Sequence, residues 1–231
     1  MSKKWEVFVR SFVTNEGYKN VLLGFKNTAY IAVFGFLIGV LIGVWIAIVK
    51  AAATQNKVCK GLSKIGDVYV GFFRGTPIVV QLLLIYYVLF PLIGVNIDKL
   101  IVAIVTFGLN SGAYVSEIIR SGIASVDVGQ KEAGRSLGLS YPSVMLRIVL
   151  PQAFKNSLPA LGNELIALVK DTSVAGFIAV FDLTQAFNLL GSSSYEFIIP
   201  YIMLALFYLV IVIVLTVIIK LVERRLRKSE R

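Results

Sequence analysis

The stretch Gly129-Gln130-Lys131-Glu132-Ala133-Gly134-Arg135-Ser136-Leu137-Gly138, closed further on by Ile148-Val149-Leu150-Pro151, is polar sequence inside a chain that is otherwise largely of membrane-grade apolarity. Its small residues suit a short helix that seats closely in a groove of a partner. Glu132 lies near the start of that helix, followed by Arg135, and an acid there complements the positive end of the helix dipole. Gly138 breaks the helix. Ser140 is placed to cap a second short helix, with Pro142 just inside its N-terminus, where a missing amide proton does no harm. Pro151 is expected to end that helix by disfavouring the helical conformation at Leu150. The stretch reads as two helices and a glycine elbow, the form of a lever passing rigid-body motion to a partner. The plainer reading is a solvated loop between two spans.

The surrounding composition fixes the setting. Of 231 residues, 57% are hydrophobic and 16% charged, whereas soluble domains carry about a quarter charged residues. The chain is therefore expected to be an all-α membrane protein. A span needs about 20 apolar residues, and uncharged runs cover 27–49, 75–97, 100–116 and 197–219. A further apolar region, 156–181, is interrupted by Glu164, Lys170 and Asp171. These predict five transmembrane helices, with the lever between the third and fourth. The first run is too long for the apolar core of a signal peptide, so it is not expected to be cleaved.

Basic residues orient the bundle. Lys50, Lys57, Lys60, Lys64 and Arg74 fall in the connection after the first run; Arg120, Lys131, Arg135, Arg147 and Lys155 surround the lever; Lys220, Arg224, Arg225, Arg227, Lys228 and Arg231 fill the tail. Five spans put all three groups on one side, which the positive-inside rule makes cytoplasmic. The expected organisation is an extracytoplasmic segment 1–27, a transmembrane region 28–219 with the lever loop at 127–151, and a basic cytoplasmic tail 220–231. Lys3, Lys4, Arg10, Lys19 and Lys26 then lie on the outer side, partly offset by Glu6 and Glu16.

Several chemistries are set aside. The net charge of +10 is explained by cytoplasmic loops beside anionic lipid, so no nucleic acid is implied. Cys59 is the sole cysteine and histidine is absent, which argues against disulfides, zinc sites and histidine catalysis. No catalytic constellation and no metal site is visible. Gly129 to Ser136 nearly spells a phosphate-binding loop, but Arg135 stands where lysine belongs and the α/β context is missing. Gly35, Gly39 and Gly43 form a four-residue stripe that lets another helix approach, either a neighbouring span or a partner subunit. Pro91 is expected to kink the second span.

In the opening stretch Glu132, Ala133, Gly138, Ile148, Leu150 and Pro151 match the EAA loop of ATP-binding-cassette importer permeases in register, with Gly134 replacing the second alanine. Further stretches, Phe73-Arg74-Gly75-Thr76-Pro77 with Gln81, Ala113 to Ile123, and Asn163-Glu164 with Lys170-Asp171-Thr172-Ser173-Val174, resemble those of the polar amino acid permease subfamily. The resemblance spans roughly 20–219 and leaves 1–19 unexplained. It implies a type I importer permease in the cell membrane that pairs with an identical or related permease, two cytoplasmic ATPases and an extracytoplasmic amino-acid-binding protein. ATP and magnesium would be held by the ATPases, with no cofactor in this chain. The coupling residues would be Gln130, Lys131, Glu132, Ala133, Gly134, Arg135 and Gly138.

Ionisable groups inside a membrane region point to function. Glu164 and Asp171 are seven residues apart, so on a continuous helix they share a face about 10 Å apart, with Asn163 beside the first and Lys170 turned about 100° away. Such a face can answer the ammonium and carboxylate of an amino acid. Equally, Lys170 and Asp171 can sit among outer headgroups, with 172–188 along the interface. Gln81, Tyr114 and Thr172 complete the candidate pathway, and Glu117 is expected to engage Arg120 or the coupling loop. The rival is an ion-coupled transporter or channel; no inverted repeat supports it. A membrane enzyme is more distant still. In sealed cells, an impermeant thiol reagent should label a cysteine placed at Asn96 and leave Cys59 untouched; labelling of Cys59 would reverse the orientation.

Overall fold

The computed structural model describes residues 2–53 and 57–228, so that 1, 54–56 and 229–231, including the end of the basic tail, lie outside the described residues. Helices follow in the order α1 (Ser2–Val9), α2 (Gly17–Ala52), α3 (Lys57–Gly75), α4 (Ile78–Leu84), α5 (Phe90–Leu92), α6 (Lys99–Ala124), α7 (Val128–Ser136), α8 (Tyr141–Val144), α9 (Leu150–Asp171), α10 (Leu183–Ser194) and α11 (Ile198–Lys228). There is no strand among the described residues. By length and apolarity α2, α6 and α11 can each cross a membrane, and α3 with α4–α5 passes as a pair bent by 109°. α9, interrupted by Lys155, Glu164, Lys170 and Asp171, is not among them.

The bundle is organised around the parallel pair α2 and α6. A Cβ on Gly39 would stand 2.7 Å from Ser111 Cβ, and one on Gly43 2.6 Å from Val115 Cβ, while Gly35 faces Phe107 and Gly108. The contacts climb both helices together, so the glycine stripe is an internal seam against α6. α6 answers with its own small residues: a Cβ on Gly108 would meet Ile38 at 2.6 Å, and one on Gly112 would meet Ile42 at 2.9 Å. Glycine here replaces bulk with backbone proximity, which is how helices associate where no hydrophobic drive separates them from lipid.

The connection expected at 50–74 is mostly a helix. α3 is amphipathic: Gly66 and Val70 pack inward, whereas Val58, Ile65, Val68 and Phe72 are exposed. Tyr69 Oη donates to the Leu109 carbonyl and ties α3 to α6. The basic residues that resembled a loop thus occupy a helix packed on the bundle, because their spacing leaves an apolar face free. The expected span 75–97 accordingly begins at an elbow. Pro77 is extended, with φ −64° and ψ 138°, and Thr76, which precedes it, is held out of the helical conformation. A π-helical turn, Ile85–Leu89, precedes Pro91, as expected where a residue without an N–H interrupts the helical ladder.

Beyond α9 the chain tightens into a 3₁₀ segment, Thr172–Ile178, and turns through Ala179 in the left-handed region at φ 56°. Asp182, fully buried, caps α10 by accepting from Thr184 N at 3.1 Å and Gln185 N at 3.0 Å. α2 pins this turn: Asn27 Nδ2 donates to Phe181 O at 2.9 Å, and Leu183 N donates to Thr28 Oγ1 at 3.1 Å. The N-terminal segment packs nearby, with Phe8 in a cluster containing Val21, Phe187, Leu190 and Ile199. Lys4 Nζ lies 3.1 Å from a Glu196 carboxylate oxygen. That contact holds the Glu196 carboxyl below the usual carboxylate range, so the tie persists at neutral pH and loosens only as pH falls through the lowered value.

The seam yields a paired test. Gly43→Ala forces an overpacked contact that typically costs about 1–3 kcal/mol, whereas Gly71→Ala, with nothing within 4 Å of its added Cβ, should gain up to about 1 kcal/mol of helix propensity. Thermal unfolding of the purified protein in detergent should therefore shift down for the first and hold or rise for the second.

Candidate functional site

The lever is built as a helix, a glycine turn and a long stem. Asp127 caps α7 by accepting from Gly129 N at 2.6 Å. The acid at the start of the helix is therefore Asp127; Glu132 stands at the middle of α7 and is exposed. Asp directly before Val128-Gly129 was the available signal. At the other end Leu139 N donates to Gly134 O at 3.2 Å and Gly138 N to Arg135 O at 2.9 Å, with Gly138 at φ 77°. These two bonds form a Schellman turn, in which a glycine is favoured because the left-handed conformation strains other residues.

Pro151 does not end the second helix. α8, a π-helical turn at Met145–Val149 and α9 run on without a break from Tyr141 to Asp171. The wider turn accommodates the missing N–H of Pro151, and within it Gln152 Nε2 donates to Ile148 O at 3.0 Å. Ser140 occupies the N-cap position without a side-chain hydrogen bond, and Pro142 lies in the first turn. Val126, Val144, Met145, Val149 and Ala153 form a core of their own beneath α7. Gly134 is the seat: a Cβ there would stand 2.9 Å from Val144 Cγ2 and 3.0 Å from Ile148 Cδ1. The departure from alanine thus lets α7 lie close on its stem. Tyr141 Oη donates to Ala51 O at 2.9 Å, tying the stem to the end of α2. Gln130, Glu132, Ala133, Arg135 and Gly138 are exposed and Lys131 is half-buried.

A second polar region runs along the α6–α9 contact. Ser111 Oγ donates to Glu164 Oε1 at 2.9 Å. Because α9 stays helical through Asp171, the seven-residue spacing does put Glu164 and Asp171 on one face. Asn163, Lys170 and Asp171 are exposed, whereas Thr172 is fully buried with its hydroxyl donating to Val169 O at 2.7 Å. Toward the lever, a cleft of about 450 Å³ is lined by Arg74, Tyr114, Glu117, Arg120, Asn156 and Ser157 among others. The Arg74 guanidinium lies 5.4 Å from the Tyr114 ring centre. Glu117 is shared by three cations: Arg120 at 2.7 Å, Lys50 at 3.3 Å and Arg74 at 3.9 Å. Lys50 also reaches Asp67 at 2.9 Å. This network knots α2, α3 and α6 together. Ser111, Asn156 and Ser125, the last two joined at 2.9 Å, were not singled out by sequence; polar residues recurring at three- and four-residue spacing along α6 and α9 were their only trace.

Gln81 has a different setting from the other pathway candidates. It is 1% exposed. Its Nε2 donates to Phe73 O at 2.8 Å and to Thr76 O and Oγ1 at 2.9 Å, while Oε1 accepts from Asn110 Nδ2 at 2.9 Å. The amide is occupied in closing the carbonyls that the α3–α4 elbow leaves open.

A membrane bundle carrying an exposed, independently cored lever beside a polar seam is the architecture of a transporter membrane subunit. Residues 35–228 match the family described as binding-protein-dependent transport system inner membrane component, and the chain belongs to that family. It is a multi-pass membrane protein. Relatives include the arginine transport system permease protein ArtQ of Bacillus subtilis, 40% identical over 91% of this chain and 94% of that one. The L-cystine transport system permease protein TcyB of Bacillus subtilis is 39% identical over 88% and 85%. An amino acid ABC transporter crystallised with histidines superposes with a TM-score of 0.82 at 37% identity, over 93% of this chain and 97% of that one. The MetNI methionine ABC transporter in an inward-facing form shares the fold, with a TM-score of 0.75 at 18% identity over 89% and 95%.

The cap on α7 is directly testable. Asp127→Ala removes a cap worth about 1 kcal/mol, whereas Asn caps as well as Asp. Hydrogen exchange of the α7 amides should quicken several-fold in Asp127→Ala and stay near the parent rate in Asp127→Asn.

Proposed function

We propose that this chain forms one half of the translocation path of an ATP-driven importer of polar amino acids, working by alternating access. ATP is hydrolysed by two separate cytoplasmic ATPase subunits. A second permease, identical or related, completes the path, and an extracytoplasmic binding protein delivers the amino acid. α9 serves as the fourth of the five spans. The observation that carries this reading is the exposed face of α7 seated on a stem that is continuous with α9. A push on Gln130, Lys131, Glu132, Ala133 and Arg135 by an ATPase moves the same helix that bears Glu164 and Asp171. The names of the relatives support amino acids as the substrate class. The acidic face of α9, with Asn163, Lys170 and Thr172 beside it and Tyr114 across the seam, supplies groups for an ammonium and a carboxylate.

Uptake by the reconstituted assembly separates the roles. If the pathway buries Asp171 against the substrate ammonium, losing that partner typically costs about 3–5 kcal/mol, so Asp171→Asn should lower uptake by orders of magnitude while binding-protein-stimulated ATPase survives in part. A solvated headgroup contact is worth about 0–1 kcal/mol. Near-parent uptake by both Asp171→Asn and Glu164→Gln, at equal expression, would remove the acidic face from the path. Glu132→Lys should abolish uptake without loss of insertion if α7 is the coupling face.

A further inference from the structure

The N-terminal helix precedes the family match and has a surface divided three ways. At about 100° per residue, Lys4, Phe8 and Ser11 share the arc packed on the bundle, where Phe8 is 5% exposed and Lys4 meets Glu196. Lys3, Glu6 and Arg10 share a second, exposed polar arc. Trp5, Val9 and Val13 share a third, which is apolar yet 49%, 38% and 57% exposed. Glu16, left-handed at φ 57°, separates this segment from α2. The apolar arc has no cover among the described residues, and its segment packs by the starts of α2 and α11, where Leu22, Leu23, Ile198 and Ile202 are also exposed. Those residues open the faces of two membrane-crossing helices.

We propose that α1 with its π-helical turn Arg10–Thr14 is an interfacial, lipid-binding helix: one arc held to the bundle, Trp5, Val9 and Val13 entering the acyl boundary, and Lys3, Glu6 and Arg10 facing water and headgroups. The occupant is membrane phospholipid. Three features select it over a soluble partner. The apolar arc belongs to a segment packed by the exposed apolar starts of α2 and α11, the adjoining arc carries two basic groups to one acid, and the apolar arc includes a tryptophan, a residue suited to the boundary between apolar and wet surroundings. Basic residues on the outer side, which the positive-inside rule does not explain, thereby acquire a place beside headgroups.

The chain has two tryptophans, so Trp45→Phe leaves Trp5 as the only one. In phosphatidylcholine–phosphatidylglycerol vesicles, its fluorescence should be quenched strongly by lipids brominated near the carboxyl end of the acyl chain and weakly by lipids brominated near the methyl end. Val13→Asp should weaken that quenching by at least about twofold, with thermal stability in detergent unchanged. Quenching by neither lipid would overturn the proposal, as would a Trp5 emission that responds only to an added binding protein. A fall in detergent stability for Val13→Asp, matching the loss of quenching, would show that the arc packs protein and would equally overturn it.

Discussion

Every polar backbone group within hydrocarbon must find its partner inside the protein, and the departures of this chain from straight spans are arranged to meet that demand. At the 109° bend between α3 and α4, the carbonyls of Phe73 and Thr76 lose their helical donors. Gln81 supplies them from one turn into the next helix, and Asn110 on α6 holds Gln81 in turn. Beyond α9 the same demand is met by Asp182, Asn27 and Thr28 around the turn before α10. Both repairs depend on α2 and α6 lying close, since Asn110 belongs to one and Asn27 and Thr28 to the other. The glycine seam is thus the frame on which the irregular segments are fixed.

That frame gives the lever its meaning. The coupling helix does not hang from a flexible loop; it has a core of its own, a capped start, a glycine-closed end and a stem that becomes α9 without interruption. Rigid elements that pass through packed cores transmit displacement because cores resist continuous deformation. The network around Glu117 holds α3 to the same frame. Motion delivered at α7 is therefore placed to shift α9, and with it Glu164 against Ser111, relative to the α2–α6 pair.

Much of this was legible in the residues. The apolar runs located the helices, and the spacing from Glu132 to Pro151 located the lever, since helix and turn chemistry is local. Gly138 was read for the turn it makes, and Arg120 was one of the two partners expected for Glu117. What escaped was set by long-range packing. α3 was hidden because its lysines resemble a loop, and its amphipathic face shows only against α2 and α6. Pro151 was read by its local rule, a helix stop, whereas a π-helical turn absorbs the missing donor. Gly134 was read only as a replacement for the second alanine until Val144 and Ile148 showed the seat it makes. Gln81 drew notice as a polar group in a span, and only the elbow reveals where its amide is engaged.

Continuity of the stem is the central claim, and distance measurement between spin labels tests it most directly. In a Cys59→Ser background, labels at the exposed positions Leu137 and Phe177 flank the rod formed by the stem and α9, one at the end of α7 and one in the 3₁₀ segment beyond α9. In the assembled transporter, adding nucleotide should leave this intramolecular distance unchanged while the distance between the Leu137 labels of paired permeases changes. A nucleotide-dependent change within one chain would place a hinge between the end of α7 and the 3₁₀ segment and contradict the account.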